Sequence, residues 1–185
     1  MTEEIDNENY FNPEEEIKIT PTKPCSLPKV EIRTGEEDED IIYKCKGKLY
    51  RFRDEEWKER ARGCIKLLRH KTNKKIRLIM RQDRTLTIAA NFIISDIPLC
   101  ELKPHKGSDR KFKFIAYDCS EEEPHLENFA IKLENVDKAQ EFKKLFEEAQ
   151  IFNRLVKEGK NSELKYAPIF KDEENENIKT DSKKE

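Results

Sequence analysis

Long apolar runs are missing from this sequence: none approaches the roughly 20 residues a membrane-spanning helix needs, and the N-terminus lacks the hydrophobic stretch of a secretory signal. The expected place of work is therefore the cytosol or nucleus. Paired cysteines are missing too. Cys25, Cys45, Cys64, Cys100 and Cys119 are odd in number, widely scattered and without a C-x-x-C pair, which reads as reduced thiols used as small apolar side chains. The three histidines, His70, His105 and His125, stand singly and offer no metal-ligand spacing. There is no glycine-rich phosphate loop, no nucleophile elbow and no His/Cys/Asp cluster at catalytic spacing. An enzyme is the least supported class, and neither metal nor cofactor is implied. Apolar residues make up only 35% against 41% charged, so part of the 185-residue chain is expected not to pack.

What is present is charge, and it is sorted by position. Residues 1–43 hold 13 acidic and 4 basic groups, residues 44–84 hold 5 acidic and 16 basic, and residues 85–171 are nearly balanced at 15 and 14. Fields of opposite sign on one small protein suit a partner with its own divided charge, because they steer encounter and fix orientation. The same count fits an acidic arm that only keeps the chain soluble, or one that folds back on its own basic patch.

Residues 1–26 are acidic, punctuated by proline and aperiodic, the signature of a disordered segment. Residues 27–40 read as an extended acidic arm of the domain that follows. From Ile41 the period becomes two: Ile41, Tyr43, Cys45 and Leu49 alternate with lysines, as in a half-buried strand. Further strands are expected near Arg60–His70, Lys75–Gln82, Thr85–Ala90, Pro98–Leu102, Lys111–Asp118 and Glu127–Leu133. Turns are expected at Thr72-Asn73-Lys74 and Asp83-Arg84. The period then changes to helical over Val136, Ala139, Phe142, Leu145, Phe146, Ala149, Phe152 and Val156, with Asn135 as N-cap and Gly159 as the stop. Seven short strands and one amphipathic helix predict a mainly β fold, a seven-stranded antiparallel barrel or sandwich capped by a C-terminal α-helix. That is the pleckstrin-homology-like architecture. The domain is placed at 27–158, and 159–185 reads as a flexible polar tail.

Several segments carry a more specific signal. Trp57-Lys58-Glu59-Arg60-Ala61-Arg62-Gly63 precedes Ile65-Lys66-Leu67-Leu68-Arg69-His70-Lys71, then Ile76 through Leu86, Ala90-Asn91, Glu101-Leu102-Lys103-Pro104, Gly107-Ser108-Asp109-Arg110 and Phe129-Ala130-Ile131. In order and spacing this series resembles the Ran-binding domain. With Ser26-Leu27-Pro28 and Glu31-Ile32-Arg33-Thr34 upstream, the chain is similar to the short, single-domain Ran-binding protein one family. The resemblance implies a domain that binds the GTP form of the GTPase Ran in a mutual embrace. Ran's C-terminal segment wraps the domain and its acidic end meets the basic face, while the acidic arm reaches across to Ran. It also implies an accessory role in hydrolysis stimulated by the Ran GTPase-activating protein, and in release of Ran–GTP from transport receptors. A soluble monomer is expected, cytoplasmic or shuttling through the nucleus, with no nucleic-acid or membrane partner.

By the same resemblance Trp57 is an aromatic anchor for Ran's C-terminal segment. Lys58, Arg60, Lys66, Arg77 and Arg81 supply positive charge, Asn91 is a polar position beside the interface, and Glu31, Glu36 and Glu37 belong to the acidic arm. The sequence departs from the family at Ala61, where glycine is common, at Gln82 and Thr87, where a basic residue is, and at Phe92, where histidine is. Tryptophan is usual at Phe112 or Phe114. The tail offers only Leu164, Tyr166, Ile169 and Phe170 toward an export signal. On charge alone, a pleckstrin-homology-like module binding anionic lipid or nucleic acid is the alternative.

Overall fold

The computed structural model describes residues 33–160 and residue 165. The segment read as disordered (1–26), Glu31 and the start of the arm, and nearly all of the tail lie outside the described residues. Seven strands and one helix follow one another: β1 (Glu39–Arg53), β2 (Glu56–His70), β3 (Ile76–Gln82), β4 (Ile88–Ile93), β5 (Lys103–His105), β6 (Ser108–Asp118), β7 (His125–Leu133) and α1 (Val136–Lys157). Every pairing is antiparallel, and the sheet runs in the order β4-β3-β2-β1-β7-β6-β5. The long, central β1 and β2 carry the sheet round, so that β4 and β6 approach each other from its two sides. The backbone N–H groups of Asn91 and Cys119 reach across at 2.8 Å, to Asp118 Oδ1 and the Asn91 carbonyl respectively. With α1 over the core, this is the pleckstrin-homology-like fold.

Period-two alternation sends Tyr43, Leu49, Ile65, Leu67, Leu78 and Met80 inward, all essentially without solvent contact. Phe142 and Phe146 of α1 enter the same core. Phe92, Phe114, Phe129 and Phe146 form one aromatic cluster with centroids 5.6–6.0 Å apart. Phe112 and Phe114 are both core residues, so the positions where tryptophan is usual remain interior and apolar.

The helix is held at both ends and along its inner face. The Asn135 side chain accepts from the Lys138 amide at 2.8 Å. Gly159, at φ +73°, closes a Schellman motif in which the Lys160 and Gly159 amides donate to the Leu155 and Val156 carbonyls. Tyr43 on β1 donates its hydroxyl to the Lys138 carbonyl at 2.7 Å. Asn153 bonds the Ile76 amide and the carbonyls of Ile76 and Ile94, while Gln150 donates to the Ser95 and Cys100 carbonyls. Two polar residues on the helix thus bond backbone groups at the start of β3 and in the segment that follows β4.

Boundaries differ from the expected ones in three places. The β1–β2 hairpin turns at Asp54 and Glu55, both at positive φ (53° and 60°), and brings Trp57 and Lys58 inside β2. Such a turn is usually announced by Asn-Gly or Asp-Gly, and Asp-Glu gives no such signal. The fourth strand starts at Ile88 because Leu86, at φ 56°, prolongs the turn. The fifth lies at Lys103–His105, not Pro98–Leu102. Pro98 has no amide to donate, and the chain around it turns.

Candidate functional site

The outer face of β1–β3 carries the basic residues, and the acidic segment before β1 lies on it. Glu37 organises the turn that makes this possible. Its carboxylate accepts from the Thr34 amide and hydroxyl and from the Gly35 amide at 2.6–3.0 Å. Backbone hydrogen bonds, with help from the Thr34 hydroxyl, hold the Glu37 carboxyl down at about 2. Glu36 and Glu39 then point at the sheet. Glu36 takes Lys66 Nζ at 2.8 Å on one oxygen and Arg81 Nε at 2.7 Å on the other. Glu39 takes Arg77 through Nε and Nη2 at 2.8 and 2.7 Å, a two-pronged guanidinium–carboxylate contact. Arg77 gives its remaining donors to Asn91 Oδ1 at 2.8 Å and the Gly35 carbonyl at 3.1 Å. Arg81 donates also to the Thr34 and Leu86 carbonyls. Both acids are nearly covered, their side chains 10% and 7% exposed. Of the alternatives the charge count left open, residues 36–40 take the one in which acid folds back onto base.

Glu36, Glu37, Lys66, Arg77, Arg81 and Asn91 are therefore brought together in one network. Trp57, Lys58 and Arg60 are not part of it; they sit toward the tip of the β1–β2 hairpin. Trp57 is 39% exposed, rests on Phe52 with centroids 5.3 Å apart, and has Lys113 Nζ 5.2 Å from its ring. It borders a cleft of about 190 Å³ whose apolar wall includes Pro98, Phe114, Ile115 and Phe129. An indole with one face on protein and one on solvent is suited to receive a partner's apolar side chain. Among the described residues Lys58 meets only the exposed Asp54, at 3.1 Å, a contact of little energetic weight.

Arg60 joins a second network. Glu121 accepts from Arg51 at 2.6 Å, Arg53 at 3.2 Å and Arg60 at 3.3 Å. Hydrogen bonds from Arg51 first, then Arg53, lower its carboxyl to about 2 against the opposing effect of burial. Arg53 is also tied to the buried Glu127 by a short hydrogen bond. The sequence did not single out Glu121, Glu127 or Lys113. Lys111 and Lys113 alternate with Phe112 and Phe114 along β6, a pattern that puts the lysines outward, but nothing local tells which acid of Glu121-Glu122-Glu123 turns back onto the hairpin.

Among the described residues no group of three or more His, Cys, Asp or Glu is placed to hold a metal ion, and no helix is long and apolar enough to cross a membrane. Cys45, Cys64, Cys100 and Cys119 are free thiols. Burial pushes Cys45 and Cys100 up to about 11, which keeps them protonated and unreactive at neutral pH.

Comparison with known proteins gives a concordant set of matches. The family model described as the RanBP1 domain matches residues 31–152. The chain is 35% identical over 158 residues to Ran-binding protein 1 homolog c of Arabidopsis thaliana, covering 84% of this chain and 71% of that protein. It is 48% identical over 124 residues to the E3 SUMO-protein ligase RanBP2 of Homo sapiens, covering 66% of this chain but only 4% of that much longer protein. Among solved structures, the Ran-binding domain of Nup2 from Ashbya gossypii superposes with a TM-score of 0.52 at 23% identity, across 62% of this chain and 97% of that one. That likeness is one of fold.

Proposed function

The chain belongs to the RanBP1 domain family, and from that premise we propose that it binds Ran in its GTP form. The observation that carries this is the family match over residues 31–152, which takes in every described strand and most of α1. A domain of this family is a binding module. The role we assign is that of an accessory factor: it assists hydrolysis of GTP on Ran by the GTPase-activating protein and helps release Ran–GTP from transport receptors. It acts as a monomer in the cytoplasm and shuttles through the nucleus.

The two networks suggest a division of labour in that binding. Lys66, Arg77 and Arg81 already have carboxylate partners within the chain, so an acidic segment of Ran reaching them has to compete with Glu36 and Glu39. Trp57 and Lys58 are accessible, and the Trp57 cleft offers an apolar seat with Lys103 and Lys113 at its edge. A segment with apolar and acidic residues fits that surface. Glu31 lies outside the described residues, and its contact with Ran is carried by the family resemblance alone.

The test is a titration of the purified protein with Ran loaded with a non-hydrolysable GTP analogue, with Ran–GDP, and with Ran lacking its C-terminal tail. Nanomolar-class binding to the first and large losses for the other two are expected. Binding that ignores the nucleotide would overturn the reading.

A further inference from the structure

We infer that the outer sheet face carries an anion site, a cleft built from Lys46, Lys48, Arg62, Arg110 and Lys132 that takes a compact polyphosphate. The inference stands independently of Ran binding. It starts from strand register. Lys48 on β1 lies directly opposite Arg62 on β2 and Lys132 on β7, and Lys132 lies opposite Lys111 on β6. Four like charges thus stand in one row across four adjacent strands, over about 14 Å at the usual strand spacing. Like charges placed directly opposite one another destabilise a sheet. Elsewhere on this face the chain answers such crowding with Glu36 and Glu39. Here its answer is partial: Lys48 meets Glu59 at 2.8 Å, and Lys111 lies over the Tyr50 ring at 4.8 Å. Arg62 and Lys132 have no ion pair among the described residues.

The row borders a concavity of about 320 Å³, where the five cations gather against two acids, Asp83 and Glu134. Arg110 is held in place by donating to the Glu134 carbonyl at 2.7 Å. Five cations from β1, β2, β6 and β7 around one small concavity match charge concentrated in space. A phosphate monoester puts nearly two charges and three acceptors on one centre, and arginine and lysine are suited to it. Acidic peptide spreads single charges along about 3.3 Å of chain per residue, so few carboxylates fit the cleft at once. Nucleic acid is disfavoured because no aromatic residue lines the cleft to stack a base.

The test uses the full chain at about 0.15 M salt with inositol hexakisphosphate, read by calorimetry and thermal melting. The double variant Lys48→Gln/Lys132→Gln is compared with Lys143→Gln on the exposed face of α1. One-to-one binding that raises the melting temperature, weakens at least about tenfold in the double variant and persists in Lys143→Gln is expected. Because the double variant relieves the like-charge row and loses only the exposed Lys48–Glu59 pair, it should melt within a few degrees of the parent without ligand. Vesicles of phosphatidylcholine with phosphatidylinositol bisphosphate, against phosphatidylserine vesicles of equal charge, separate the sources. Specific vesicle binding points to a lipid headgroup, and binding to the soluble probe alone points to a free polyphosphate. No binding, equal binding by the double variant, or equally tight binding of a polyglutamate peptide or single-stranded RNA would overturn the site.

Discussion

Replacing Glu36 with Gln removes a carboxylate that Lys66 and Arg81 both face, at 2.8 and 2.7 Å, while keeping its size. Removing one partner of a fully buried pair costs about 3–5 kcal/mol, whereas an exposed pair contributes at most about 1 kcal/mol. Glu36 is 10% exposed and its partners 23% and 21%, so this site lies between those limits. The Gln carbonyl also keeps one hydrogen bond. The expected loss is about 2 kcal/mol, or about 6–10 °C in Tm for a folded region of this size. The effect has a pH signature. Burial acts to raise the Glu36 carboxyl, but hydrogen bonds and charge from Lys66 and Arg81 outweigh it and leave it below its usual value. A carboxyl that is more acidic in the folded state stabilises fully above its unfolded value of about 4.3, and loses that contribution as pH falls toward the folded value. Melts of parent and Glu36→Gln followed by circular dichroism should differ fully at pH 7, and the difference should shrink progressively as pH falls below about 4. A pH 7 difference under about 2 °C, or one that persists unchanged in acid, would refute the idea that the acidic segment is clamped to the sheet.

Trp57→Ala should weaken Ran–GTP binding at least about tenfold, while a half-exposed indole on Phe52 leaves Tm within a few degrees; normal affinity in a pull-down titration would remove Trp57 from the interface. Gly63→Ala should cost about 3 kcal/mol or more, because a Cβ there would stand 1.9 Å from the Arg81 carbonyl oxygen; parent-like expression and melting would contradict the close strand approach. Gly107→Ala, in open space but at φ +83°, should cost only about 1 kcal/mol in the same assay. For Glu121, whose carboxyl is lowered to about 2 by Arg51 and Arg53, the stabilising contribution is present above about pH 4.3 and fades only as pH drops toward 2. Carboxyl-carbon NMR that finds it titrating near 4 would show that the three-arginine contact does not persist in solution.

The fold was legible because its signals are periodic. Alternation along β1, β2, β3, β6 and β7 and the 3.6-residue spacing of Ala139, Phe142, Phe146 and Ala149 each follow from a buried face. Asn135 and Gly159 mark helix ends by local chemistry. What escaped was either unannounced or non-local. Asp54-Glu55 turns the longest hairpin at positive φ without glycine. Asn153 and Gln150 look like ordinary polar helix residues, and only the sheet edge beneath them shows what they bond. The site was legible as a set of residue types but not as a set of pairs. Lys66, Arg77 and Arg81 read as cations facing a partner, and the structure pairs them with Glu36 and Glu39, 30 to 45 positions away in the chain. No spacing rule in a single sequence reports that.

Pairing changes what the charge count means for a partner. A net of +11 over residues 44–84 suggests one broad basic face, yet carboxylates at contact distance cancel much of it. Beyond about 8 Å at physiological salt, a closed ion pair projects little field. Among the described residues, what an approaching anion meets is therefore the remainder: Lys46, Arg62 and Lys132 around the cleft, and Lys113 beside Trp57 with Lys58 held only by the exposed Asp54. These two surfaces differ in kind, one concave and lined mostly by charged residues, the other built on an indole and apolar side chains. They should accordingly differ in how their ligands respond to salt. Binding at the cleft, held by charge alone, should weaken steeply as salt rises, whereas binding at Trp57 keeps the part contributed by apolar burial. The sorted charge of the sequence thus resolves into a stapled core of pairs, with one electrostatic and one mixed surface left open at its margins.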